Sequence, residues 1–219
     1  MYILEIQLLS RDIAQTTHFY HHILGMDIQY ADDSMLKISA GLSTLVFNED
    51  KTTNATYHFA FDIPSNQFEE AHEWAGANLS LLPVNESNTV ADFKNWNAKA
   101  FYFFDNNQNV VEFICRFDID NKSKRSFDGS SVTSISEIGM VAANAGLLSR
   151  QLMHDYNLPY FSRQPPGDDF IVLGDDNGLL IVVKEQRNWY PTDHPAYTYP
   201  ASVKFSHLGN IYQFESKVR

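Results

Sequence analysis

The sequence predicts an α+β protein built from repeated β-α-β-β-β units, and three observations carry this. A shift of 53 positions superimposes the roles of two early segments, carrying Glu5 to His58, Leu8 to Phe61, Asp12 to Ser65 and Gly25 to Asn78. A shift of 132 opens a third copy, taking Glu5 to Glu137, Leu8 to Met140, Asp12 to Asn144 and Gly25 to Asn157. The third observation is the stretch Phe101 to Arg116, FYFFDNNQNVVEFICR, whose two aromatic and β-branched runs flank the turn Asp105 to Asn109 and read as a hairpin.

Tyr2 to Leu9 alternates as a strand, with Leu4, Ile6 and Leu8 on one face and Glu5 and Gln7 on the other. Asp12 caps a helix with Gln15 as its capping-box partner, and Ile13, Thr16, Tyr20, Ile23 and Leu24 form the inner stripe up to the stop at Gly25. Short strands follow near Met26 to Tyr30, Met35 to Ser39 and Ser43 to Asn48. In Thr56 to Ile63, the residues Tyr57, Phe59, Phe61 and Ile63 share one face, and His58, Ala60 and Asp62 the other. Ser65 is expected to cap a helix running to Trp74, with Gly76 to Asn78 as its stop. Leu79 to Pro83 is strand-like, a polar loop with Trp96 follows, and the hairpin closes the second unit. Its second strand sets Val110, Glu112, Ile114 and Arg116 on one face, and Val111, Phe113 and Cys115 on the other. Glu112 is thus a carboxylate among apolar neighbours, which needs a partner or a task because a lone buried charge is costly.

The polar stretch 118–131 is a linker, leaving 1–117 as one module of two complete units and 132–219 as a partial one. In the latter, strands are expected at Phe170 to Leu173 and Leu179 to Val183 around the turn Asp175 to Gly178. Ser202 to His207 would open a fourth unit that the chain does not complete, so the third unit is degenerate and truncated.

Composition narrows the function. With 44% hydrophobic and 14% aromatic residues, a sizeable core is expected. Acidic residues outnumber basic ones 27 to 16, a net charge of −11 that argues against nucleic acid and anionic membranes as partners. No apolar run approaches the roughly 20 residues of a bilayer span, and no signal-like amino terminus is seen, so a cytoplasmic location is expected. The single cysteine, Cys115, excludes an intramolecular disulfide and reads as a core residue. No phosphate loop, nucleophile elbow or basic aromatic stripe is present.

The repeated units, together with Phe19-Tyr20 before Leu24-Gly25-Met26, a strand bearing His58, and Asp105 to Asn109 leading into Val110-Val111-Glu112-Phe113, resemble the glyoxalase, bleomycin-resistance and extradiol-dioxygenase superfamily, the vicinal oxygen chelate proteins. The resemblance implies that the first two units pair into an eight-stranded cup-shaped barrel with outer helices. It implies metal ligands at Glu5, His58 and Glu112, with Glu112 also catalytic and Trp96 and Tyr102 in the cup as substrate-binding residues. The position of a further family ligand falls near Val46. Glu5 stands where the family carries histidine or glutamine, and Asn106 and Gln108 replace the proline and glycine of its common turn.

One imidazole and two carboxylates suit a divalent ion such as Fe, Mn, Zn or Ni. The resulting expectation is a metal-dependent lyase, isomerase or dioxygenase acting on a small oxygen-rich or aromatic molecule. The alternatives are a metal-free protein that binds or sequesters a small molecule, and a structural or regulatory module whose truncated unit pairs in a homodimer. Glu137, lacking evident mates because Val203 and Ile181 fall near the matching places, reads as a structural remnant. His18, His21 and His22 read as a solvated cluster. The aromatic, proline-rich stretch from Glu185 to Pro200 reads as a cover for an open sheet edge or a subunit contact, with a lid or pocket wall as the alternative.

Overall fold

The computed structural model describes residues 1–216. Unit one is β1 (Tyr2–Ser10), α1 (Ile13–Thr17), β2 (Ile28–Ala31), β3 (Met35–Ala40) and β4 (Ser43–Glu49). Unit two is β5 (His58–Asp62), α2 (Phe68–Asn78), β6 (Ala91–Phe93), β7 (Ala98–Phe104) and β8 (Val110–Arg116). Unit three has β9 (Ser134–Ala142), α3 (Ala145–Tyr156), β10 (Phe170–Asp175) and β11 (Gly178–Lys184), one strand short of the others. A hairpin of β12 (Ala201–His207) and β13 (Asn210–Ser216) follows. The α+β class and the repeated units are as the sequence predicts.

Local chemistry explains most boundaries. The Asp12 carboxylate accepts from the Gln15 amide at 2.9 Å, the Gln15 side chain donates back to it at 2.8 Å, and Asn144 caps α3 by accepting from the Leu147 amide at 2.8 Å. From His18 to Ile23 the first helix widens into π-type turns, ending with the Leu24 amide on the Phe19 carbonyl at 2.9 Å. Gly25 then leaves the helix at φ 71°, a conformation that favours glycine. Ser65 does not cap α2. Its amide is taken by the Asn121 side chain at 2.8 Å, the Gln67 amide turns back to the Pro64 carbonyl at 3.0 Å, and the helix starts only at Phe68. Leu79 to Pro83 contributes only an isolated bridge from Leu81 to Phe103, and the polar loop before Trp96 contains the short strand β6.

Among the described residues all 13 strands belong to one sheet, which is not closed. Within each unit the first strand lies parallel to the last, β1 to β4, β5 to β8 and β9 to β11, and the hairpins extend outward antiparallel. The partnership between units differs from the expected one. β5 pairs antiparallel with β9, and β1 with β12, while β1 and β9 pair in register only at Ile3 and Ile135. Unit two therefore forms a cup with unit three, across the 118–131 segment, and unit one shares its sheet with the β12–β13 hairpin. Contacts from the segment and the residues just after it support this: Asn121 bonds the Ile63 carbonyl and the Thr133 hydroxyl, and the Thr133 amide reaches the Asp62 carbonyl at 2.9 Å, at the point where β9 comes alongside β5.

Side chains sort by strand alternation. Phe59, Phe61, Phe101, Phe103 and Phe113 pack on the helix side with Ala71 and Ala75 of α2. Cys115 is buried there as a free thiol. The opposite face, with Ala60, Tyr102, Val110 and Ile114, is the inside of the cup. Among the described residues no helix is long and apolar enough to cross a membrane.

Candidate metal and ligand site

β5, β8 and β9 each place one titratable side chain inside the cup. His58 pairs in register with Val110, Ala60 with both Glu112 and Glu137, and Tyr102 lies opposite Glu112 on β7. One ligand atom from each of His58, Glu112 and Glu137 lies within 4.8 Å of the others, and all three residues are buried. The His58 Nδ1 sits 2.9 Å from the Val110 carbonyl, which fixes its proton there and leaves the Nε2 lone pair free, 3.6 Å from the Glu112 carboxylate.

A buried cation supports the site from below. Arg116, 1% exposed, donates through Nη2 to Glu137 and through Nε to Ser136 Oγ at 3.2 Å; its Nε lies 3.6 Å from Asp62, and its guanidinium 5.4 Å from the Trp96 ring centre. Three carboxylates thus face one guanidinium, and the imbalance appears in their acidities. Burial and then the Glu137 charge push the Glu112 carboxyl well above the usual range. Burial pushes Glu137 up against the pull of Arg116, and pushes Asp62 up to about 6. Burial also pushes the His58 imidazole down to about 4, so it is a neutral donor near pH 7.

The triad opens into a cavity of about 230 Å³. Trp96 and Tyr102 form part of its wall, alongside Phe93 and Phe170. Gln164 and Ile181 add to it, and the stretch 185–200 supplies Arg187, Trp189 and Tyr190. This stretch is a built strap: the Gln186 amide bonds the Ala196 carbonyl at 2.7 Å, the Ala196 amide returns to Arg187 at 2.8 Å, and the Glu185 amide ties back to Ala142 at 2.9 Å. Trp189 is buried with its ring centre 5.1 Å from that of His58, and it fits because residue 139 is glycine; a Cβ there would lie 2.4 Å from the indole. Tyr190 meets Tyr102 edge-on at 5.6 Å. The strap is therefore a pocket wall, the alternative to the edge cover.

Of the predicted ligands, His58 and Glu112 come together and Glu5 does not join them. Glu5 is half-buried on β1 in the other part of the sheet, accepts from the Gln7 side chain at 2.7 Å, and stands in register with Thr44 and Lys204. Val46 lies beside Gln7 in that same region. The third carboxylate is Glu137, so its reading as a structural remnant is corrected. The signal for it was present in the 132-residue shift that carries Glu5 to Glu137. Cross-strand pairing relates the two halves of the cup by a pseudo-twofold that exchanges His58 with Glu137 and Ala60 with Gly139, and it puts Ile181, paired with Gly139, where Glu112 stands in unit two. The cup thus presents three candidate ligands and one apolar position. His18, His21 and His22 are exposed, outside the cup.

No protein-family model and no curated protein matches the chain. Solved structures do. A proposed dioxygenase from Bacillus subtilis aligns over 99% of the chain and 67% of its own, at a TM-score of 0.60 and 11% identity. A glyoxalase/bleomycin resistance protein/dioxygenase from Alicyclobacillus acidocaldarius aligns over 53% of the chain and 92% of its own, at 0.43 and 16%. A fosfomycin resistance protein from Listeria monocytogenes, complexed with Mn(II) and sulfate, aligns over 51% and 86%, at 0.39 and 18%. The first of these, spanning nearly the whole chain, shows that the fold is the one the sequence resembles.

Proposed function

We propose that the protein is a divalent-metal enzyme acting on a small molecule in the aromatic cup, with His58, Glu112 and Glu137 holding the ion. The observation that carries this is the convergence of three buried ligand atoms within 4.8 Å at an aromatic-walled cavity. The charge balance supports it: ionised Asp62, Glu112 and Glu137 against Arg116, with His58 neutral, leave two negative charges, the complement of a divalent cation. The donor set of one nitrogen and two carboxylates fits Fe, Mn, Zn or Ni, and such an ion supplies Lewis-acid polarisation of a substrate oxygen.

The chain's own residues define the rest. Val110 fixes the His58 tautomer, Arg116 holds Glu137 by one oxygen so that the other is available, and Tyr102 lies against Glu112. With no ion bound, burial and the neighbouring Glu137 favour a proton on Glu112; holding the ion would require that proton to leave, so Glu112 is the group at which metal and proton compete. Trp96, Tyr102 and Trp189 exclude water and position a planar ligand.

Elemental analysis of protein purified without chelator tests the reading. One equivalent of metal is expected in the wild type, and less than a tenth of that in Glu112→Ala and Glu137→Ala. Equal content in all three removes the metal site. A second reading, a metal-free binding protein, is favoured by Arg116 already engaging Glu137; it predicts no metal in the wild type and ligand binding that survives Glu112→Gln.

A further inference from the structure

We propose that the ligand of this cavity is a compact aromatic carboxylate, and that Arg187 binds the carboxylate and sets the specificity; this rests on the cup being the functional site. Arg187 is the only cation lining the cavity among the described residues. Unlike Arg116, it forms no ion pair among them. One of its nitrogens donates to the adjacent Asn188 carbonyl at 3.2 Å, and its guanidinium lies 4.8 Å from the centre of the Phe170 ring. A half-buried guanidinium set over a ring, with one hydrogen bond to the protein and its other donors available, is arranged to receive a planar anion in bidentate fashion.

The rest of the cavity fixes the other properties of the ligand. Its volume, about 230 Å³, lies below the roughly 300–1,000 Å³ of pockets for drug-sized molecules, which limits the occupant to about one substituted ring. Rings on several sides, Phe93, Trp96, Tyr102, Phe170 and Tyr190, favour a flat aromatic body. The proposed divalent ion is already balanced by the carboxylates around it, so among the described residues Arg187 is the one lining cation left to meet an anion, a match for a monoanionic carboxylate and not for a dianionic phosphate, and a protein of net charge −11 offers an anion no general attraction. Charge selection therefore falls on Arg187.

Benzoate and benzamide, matched in size and differing in charge, are titrated against the purified protein by quenching of Trp96 and Trp189 fluorescence, with metal content measured on the same samples. Benzoate is expected to bind at least tenfold more tightly than benzamide. Arg187→Gln is expected to weaken benzoate at least tenfold and change benzamide less than twofold, and Arg187→Lys to restore part of the preference. The thermal midpoint of each variant, unchanged for a half-exposed side chain, shows that folding is not the cause. Equal binding of the two ligands, no binding of either, or a benzoate preference that survives Arg187→Gln would overturn the proposal. Metal-free wild type with an Arg187-dependent preference would overturn the metal reading alone; metal present without the preference overturns this one alone.

Discussion

Arg116 shows how one residue ties stability to the site. It is fully buried and is the near partner of both Glu137 and Asp62, so Arg116→Met leaves two buried carboxylates uncompensated and is expected to destabilise the fold by about 3–5 kcal/mol in urea unfolding. Asp62 supplies a pH test. Its carboxyl is pushed up to about 6 by burial, above the unfolded value of 3.8, so its neutral form is favoured in the folded state. A raised acid stabilises below the unfolded pKa, and this contribution is lost as pH rises through about 6. Asp62→Asn removes that loss, so in metal-depleted protein its thermal midpoint should exceed the wild type's at pH 8 and converge with it by pH 4. A midpoint difference independent of pH would show that Asp62 is not held this way.

Among the elements, the strap 185–200 and β9 depend on each other through Gly139. Gly139→Ala drives a methyl group to within 2.4 Å of Trp189, so the strap must shift. Overpacking of this kind costs about 1–3 kcal/mol, and limited proteolysis should cut the stretch 185–200 faster in the variant. The helices repeat one lesson with a variation. Asp12 and Asn144 cap as their residue types dictate, whereas Ser65 does not, because a turn closed by the Gln67 amide on the Pro64 carbonyl delays the helix to Phe68 and leaves Ser65 two positions ahead of the N-cap, Gln67. Capping preference is local chemistry, and it acts only where the backbone enters the helix at that residue.

For the whole molecule, the decisive fact is which units partner. If unit two completes its site with unit three, Glu5→Ala should keep the full metal content of the wild type, while Glu137→Ala loses it; loss in Glu5→Ala would restore the pairing of units one and two. The same topology makes β12 part of the core. Phe205 is fully buried against Tyr156 of α3, at 5.4 Å between ring centres, and Phe205→Ala is expected to cost about 3–5 kcal/mol by chemical denaturation, well above a substitution of exposed Ile211 on β13.

The sequence by itself determined the class, the repeated unit, the caps at Asp12 and Asn144, and the two faces of β5 and β8 that bring His58 and Glu112 into one cup, because each follows from strand alternation or capping within one unit. The shift that relates Glu5, His58 and Glu137 also lay in the sequence, but a repeat shows only that units are equivalent. It is indifferent to which copies face each other, and that choice exchanged Glu5 for Glu137. Only the tertiary structure decided it, by placing β9 against β5, with contacts of Asn121 and Thr133 supporting the junction. The partners of Arg116 and of the strap were out of reach for the same reason: one is paired with a residue 21 positions on, and the other fills space created by Gly139, 50 positions before Trp189. Such contacts are set by how the sheet curves, which no local periodicity records.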